Sequence, residues 1–132
     1  MPKGRFVLNA SQIQQLGSIV GERGLRTDAD SCEQYGRDWT RVHTPAPAAV
    51  VLPGSIEEVQ AVVRWAAQEG VALVPSGGRS GLSGGAVAAR GEVVVALDRL
   101  NTIGDFDGTD RSVRCGAGVV TEQLQTFARE QG

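Results

Sequence analysis

The 132 residues, 41% apolar and 21% charged, are enough for one globular domain with a core of its own. A net charge of −2 without any basic cluster argues against a nucleic-acid partner held through its phosphates. No apolar run approaches the ~20 residues of a membrane span, and no apolar stretch follows the first Lys and Arg to make a signal peptide.

In chain order, residues 1–8 read as a loose leader. Asn9 or Ser11 can cap a helix over about 10–21, with Ile13, Leu16 and Val20 on one face and Gly21 and Gly24 as stops. Residues 26–47 are polar and irregular. They hold Tyr35-Gly36-Arg37-Asp38-Trp39-Thr40, in which Tyr35 and Trp39 read as anchors packing a long loop on the core, and His43, to which no role is assigned. Ala49–Leu52 is a short β-branched run ended by Pro53-Gly54, hence a buried strand. Ser55-Ile56-Glu57-Glu58 is a capping box opening a helix to about Glu69, with Ile56, Val59, Val62, Val63 and Ala66 inward and Gly70 as its left-handed stop. Val71–Val74 is a second strand. Strand, helix, strand with short joints is a βαβ unit with parallel strands, whose ligands sit beyond the carboxyl ends.

From that end leaves Pro75-Ser76-Gly77-Gly78-Arg79-Ser80-Gly81-Leu82-Ser83-Gly84-Gly85, with five glycines in the ten residues after Pro75. Glycine lets a main chain approach a phosphate and present bare N–H groups to it. Arg79 could add charge and Ser76, Ser80 and Ser83 hydroxyls. Leu82 reads as a plug into the core. The spacing is neither the P-loop, since no Gly-Lys pair occurs, nor G-x-G-x-x-G. From spacing alone a flexible surface turn stays open as an alternative.

Val93–Leu97 is a third strand, apolar throughout and so buried on both faces. Asp98-Arg99-Leu100-Asn101 reads as a charged turn. Ile103–Phe106 and Ser112–Cys115 make a hairpin around Asp107-Gly108-Thr109-Asp110. Its acids do not form an EF-hand loop, because Asp110 and Gly116 stand where Gly and Glu are needed. Gly116-Ala117-Gly118-Val119 is a second Gly-rich elbow. It leads to Thr121, a candidate N-cap, and a last helix with Leu124, Phe127 and Ala128 inward. Cys32 and Cys115 fit no metal or redox spacing and read as reduced thiols of a cytoplasmic protein, with a disulfide left open.

The Pro75–Gly85 loop resembles the P-x-G-G-x-[ST]-x-L-x-G-G loop of the FAD-linked oxidases of the vanillyl-alcohol oxidase / p-cresol methylhydroxylase type. Tyr35–Thr40 and Pro47–Pro53 resemble segments of the branch containing D-2-hydroxyglutarate dehydrogenase, D-lactate dehydrogenase and the glycolate oxidase flavin subunit. This leaves open, beside the packing role, a place for Tyr35–Thr40 near the flavin or its adenine end. Leu97–Asn101 and Ala117-Gly118-Val119 resemble segments of the wider family. The resemblance implies an α+β fold: about three parallel strands with flanking helices plus a hairpin, half of a two-subdomain FAD-binding fold. It also implies FAD as cofactor, its pyrophosphate held by Ser76, Gly77, Gly78, Arg79, Ser80 and Gly81, with Pro75, Leu82, Gly84, Gly85 and Gly118 completing the site. Arg79 stands where some relatives bond FAD to a His, which implies non-covalent FAD.

On this reading residues 1–34 are a helical cover and 35–132 an incomplete FAD-binding domain, the N-terminal piece of a dehydrogenase passing a hydride from a D-2-hydroxy acid to the flavin. The substrate domain, catalytic residues and any metal ligands are expected outside the chain, so none is assigned here. The 132 residues alone are then expected to hold FAD weakly. The alternatives are a nucleotide-binding module without catalysis and another alcohol or phenol oxidase of the same fold.

Overall fold

The β-branched runs become strands of one sheet in the computed structural model, which describes residues 4–132. The elements are α1 (Ala10–Val20), β1 (Leu25–Arg26), α2 (Ala29–Tyr35), β2 (Ala49–Val51), α3 (Ile56–Glu69), β3 (Leu73–Ser76), β4 (Val93–Ala96), β5 (Ile103–Asp107), β6 (Ser112–Cys115) and α4 (Thr121–Glu130). The first sheet has the order β1-β2-β4-β3, and β5 and β6 form a separate two-stranded one. β2 and β3 both run parallel to β4, with Val50 and Val74 opposite Val94. β1 adds an antiparallel edge on β2. The expected α+β fold is thus observed, with β4 inserted between the two strands of the βαβ unit.

Alternation divides the apolar residues of β2 and β4 between two cores. Ala49, Val51, Val93 and Val95 pack with Leu16, Val20, Val62, Trp65 and Ala66 of α1 and α3. Val50, Leu52, Val94 and Ala96 pack on the other face with Ala88, Cys32 and Tyr35. Both faces of β2 and β4 are therefore covered. Burying one leucine or valine stabilises by about 1.5–3 kcal/mol.

Helix ends follow local chemistry. Asn9 rather than Ser11 caps α1: its side chain accepts from Gln12 N, and the Gln12 side chain accepts from Asn9 N. Ser55 accepts from Glu58 N, but Glu58 reaches one residue further back than expected, to Gly54 N. Gly70 ends α3 at φ 66°. The inward face of α3 is Val62, Trp65 and Ala66, whereas Ile56 and Val63 are exposed. Trp65 faces inward because its indole N–H donates to Gln15 of α1, so the polar edge is satisfied while the ring packs.

Several expectations are corrected. The leader, of which residues 1–3 lie outside the described residues, is tied down: Phe6 N donates to Arg90 O and Leu8 joins the core. The stretch taken as irregular contains β1 and α2, the latter capped by Asp28 accepting from Ser31 N. The second strand is shifted by two residues to include Pro75 and Ser76. Proline is tolerated because β3 is an edge strand and needs no ladder donor there. Trp39 is no anchor, since it lies 70% exposed, and Leu82 is no plug, being 69% exposed. Val120, not Thr121, occupies the N-cap of α4 and offers no side-chain bond, and Ala128 is exposed. Cys32 and Cys115, in contrast, are free thiols as expected.

What Leu82 does not supply, Asp38 does. This buried carboxylate accepts from Thr40 N at 3.0 Å, Thr40 Oγ1 at 2.7 Å and Gly84 N at 3.0 Å. Trp39 N donates to Gly81 O alongside. The far arm of the Gly-rich loop is thereby fastened to the segment after α2. The Thr40 hydroxyl foremost, then the Gly84 and Thr40 amides, hold the Asp38 carboxyl below its ordinary pKa against the opposing effect of burial.

Two outcomes are expected. Leu16→Ala lowers unfolding free energy by about 2–5 kcal/mol in chemical denaturation, whereas Leu82→Ala shifts it by no more than about 0.5 kcal/mol. Because the Asp38 pKa is lowered by folding, its contribution is fully present above a pH of about 4 and is lost as pH falls through the lower folded value. In melts across that range, Asp38→Asn should lower Tm near neutrality and flatten the decline on acidification.

Candidate functional site

β3 and β4 run parallel and so deliver their carboxyl ends to the same side of the sheet. Leu97 N closes the ladder by donating to Ser76 O. Beyond that bond a hollow of about 390 Å³ opens, lined by Gly77, Gly78, Arg79 and Ser80 after β3, Asp98 after β4, and Ala117–Thr121 from the second elbow and the start of α4. This size lies in the lower part of the roughly 300–1,000 Å³ range of ligand pockets.

The glycines on the two sides of the hollow are there for different reasons. A Cβ at Gly118 would lie 1.9 Å from Leu97 O, and one at Gly116 2.0 Å from Leu100 O, so the elbow is glycine because two stretches of main chain touch. No such need exists across the hollow. Neither Gly77 nor Gly78 has a left-handed φ. A Cβ at Gly77 would meet nothing within 4 Å, and one at Gly78 only Ser80 Oγ at 3.8 Å. The fold itself would accept alanine at both. Moreover, the backbone N–H groups of Gly77, Gly78, Arg79 and Ser80 find no protein acceptor among the described residues. Open amides beside an empty Cβ position are what a closely approaching anion requires.

The start of α4 completes this wall. Val120 caps nothing with its side chain, so first-turn amides carry the positive end of the helix dipole without a side-chain acceptor. Val120 and Thr121 place that end at the hollow.

Arg79 adopts φ 56°, which costs a residue with a Cβ about 1–2 kcal/mol. Its guanidinium is engaged on three sides. Nη2 donates to Asp98 Oδ1 at 2.9 Å, Nη1 to Asp98 Oδ2 at 3.2 Å, and Nη1 also to Ser76 Oγ at 3.3 Å. The Tyr35 ring centroid lies 4.8 Å from Cζ. Ser76 is fully buried, and Arg79 and Asp98 are partly so. The positive charge read as available to phosphate is therefore already matched by a carboxylate. Next to it, Arg99 donates to Leu52 O at 2.8 Å and packs against Gly54. The turn after β4 uses both its charges internally.

Of the residues singled out from the sequence, Gly77, Gly78, Arg79, Ser80 and Gly118 come together at the hollow. Pro75 and Ser76 lie in β3 beneath it. Gly81, Leu82, Gly84 and Gly85 belong to the other arm and do not line it. Sequence reasoning missed Asp98, Asp38 and the start of α4. For Asp38 a signal existed in Asp-Trp-Thr, since an Asp two residues before a donor favours an Asx-turn. Among the described residues no group of three His, Cys, Asp or Glu is placed to hold a metal, and no helix is long and apolar enough to cross a membrane.

Known proteins resemble the chain over most of its own length. The chain is 56% identical over 120 residues to a D-2-hydroxyglutarate dehydrogenase of Stutzerimonas stutzeri (strain A1501), covering 91% of this chain and 26% of that one. It is 55% identical over 121 residues to the protein of that name in Xanthomonas citri pv. viticola, covering 92% and 26%. The chain thus spans about a quarter of the length of the curated relatives it matches. Among solved structures, alkyldihydroxyacetonephosphate synthase superposes with a TM-score of 0.84 at 22% identity, covering 100% of this chain and 26% of that one. p-Cresol methylhydroxylase does so at 0.78 and 22%, covering 95% and 26%. These two likenesses concern the fold alone. A family model described as FAD binding domain matches residues 47–132, a span that contains both glycine-rich segments and every residue lining the hollow. The chain belongs to this family of FAD binding domains.

Proposed function

We propose that the chain cradles the diphosphate of FAD in the hollow between the Gly77–Ser80 loop and the start of α4, as the flavin-binding part of a dehydrogenase of D-2-hydroxy acids. The observation that carries the site is the pair of glycines with open amides that no protein contact requires. Amides of Gly77, Gly78, Arg79 and Ser80 and the dipole of α4 would bind the two phosphates. Ser80 can add its hydroxyl, while the other arm, held by Asp38, fixes the loop's course. The cofactor would supply the hydride acceptor; this chain supplies position and charge complementarity. The substrate class rests on the 56% and 55% identical relatives, both called D-2-hydroxyglutarate dehydrogenase. Residues 35–132 are the flavin-binding unit in this proposal, and 1–34 cover the sheet.

Gly77→Ala and Gly78→Ala separate binding from folding. Thermal stability should hold or rise by up to about 1 kcal/mol, while FAD affinity, read from quenching of flavin fluorescence, falls about tenfold or more. Gly118→Ala should instead destabilise the fold by about 1–3 kcal/mol, since the chain itself occupies that space. Unchanged FAD affinity in both loop variants would reject the site.

With Arg79 in the loop, flavin should leave the protein on acid precipitation. In a protein carrying this domain together with its substrate domain, reduction of bound flavin by D-2-hydroxyglutarate, D-lactate or glycolate tests the substrate class. Reduction by none of them overturns it.

A further inference from the structure

We propose that Arg79 is a positioning residue: its clamp onto Asp98, Ser76 and Tyr35 holds residue 79 in the left-handed conformation that opens the loop's amides toward the hollow, and its charge stays with Asp98 when the dinucleotide binds. This rests on the cradle proposed above. Three observations carry it. Arg79 has φ 56° without being glycine, so something outside the backbone maintains that conformation. Its guanidinium makes a two-pronged pair with Asp98 across the exits of adjacent strands β3 and β4, a third bond to buried Ser76, and a ring contact with Tyr35 at the end of α2. These partners lie in β3, just after β4 and at the end of α2, so the clamp refers the loop to the rigid part of the fold. The neighbouring amides have no partners among the described residues to do so. A left-handed residue between others turns successive N–H groups toward one point, the geometry of an anion-binding nest.

The rival role, direct contact of the Arg79 cation with the diphosphate, makes opposite predictions. If conformation is what Arg79 supplies, glycine at 79 replaces it in part, because glycine adopts positive φ at no steric cost. Arg79→Gly should then bind FAD about tenfold more tightly than Arg79→Ala, the factor set by the left-handed penalty of a residue with a Cβ. Arg79→Lys keeps the charge but loses the two-pronged geometry, and should bind less tightly than wild type. Asp98→Asn removes a negative charge from the wall of an anion site. It should nevertheless weaken FAD binding, because it loosens Arg79.

These four variants are titrated with FAD in the whole chain, with amide NMR of Gly77–Gly81 in the absence of flavin as a second readout. Arg79→Ala and Asp98→Asn should broaden those resonances, and Arg79→Gly should do so less. The inference is overturned if Arg79→Lys binds like wild type while glycine and alanine are equally poor, if Asp98→Asn binds FAD more tightly, or if the loop resonances ignore all four changes. Gly77→Ala and Gly78→Ala, run in parallel, keep the two proposals apart. If they weaken binding while Asp98→Asn strengthens it, the cradle stands and the role of Arg79 falls. If they leave FAD binding unchanged, or wild type takes up no FAD at millimolar flavin, the cradle falls and this inference with it.

Discussion

A main chain that keeps its amides open for a ligand cannot use them to hold itself in place. That constraint organises the region from Pro75 to Gly85. Gly77–Ser80 carry N–H groups with no protein acceptor among the described residues, so the loop needs its fixed points elsewhere. One arm is fixed by the Arg79 side chain on Asp98, Ser76 and Tyr35, the other by the Asp38 carboxylate on Gly84 N. Each arm is thus held by a carboxylate from outside the loop, Asp98 after β4 and Asp38 after α2. Side chains do here what ladder bonds do in the sheet below, and the backbone is left for binding.

The sheet makes those fixed points dependable. β3 is an edge strand, and Pro75 removes one of its donors, so its position comes from β4, which is apolar and buried along its whole length. β4 places Ala96, and one step later Leu97 N, against Ser76. Asp98 follows directly, within reach of Arg79. The close approach of Gly118 to Leu97 O then brings the second elbow, and with it the start of α4, to the same strand end. Both walls of the hollow are therefore set by the two residues just after β4, Leu97 and Asp98.

Much of this could be read from the sequence, and the failures have particular causes. The two buried strands β2 and β4, α3 with its Ser55 and Gly70 ends, and the β5–β6 hairpin follow from local pattern and turn chemistry, which act over a few residues, whereas the same pattern places the edge strand β3 two residues early. α2 escaped because its seven residues, Ala29 to Tyr35, have no buried residue and little apolar periodicity; only Asp28 at its start marks it. Leu82 and Trp39 misled because large apolar residues usually pack, yet here they are exposed and a buried Asp does the fastening. Asp98 was legible only as a charged turn, since its partner is nineteen residues earlier. The pairing exists because β3 and β4 are neighbours, and adjacency of strands is a property of the sheet rather than of either segment.

The electrostatics of the hollow follow from the same pairing. Of the residues lining it, Arg79 and Asp98 are the charged ones, and they are bonded to each other. An anion entering there meets no uncompensated side-chain charge. It meets amide dipoles and the uncapped start of α4, whose partial charges are fixed in direction by the backbone. Such donors need no side-chain rotamer to be frozen when the ligand arrives, whereas a free Arg or Lys gives up considerable rotamer freedom to bind. They also recognise an extended anion by the spacing of its oxygens more than by its total charge. A strand end with glycine on both sides suits a diphosphate linking two larger groups for that reason. On the proposed function the main chain would bond several oxygens in a row, and the glycines would leave room for what is attached on either side.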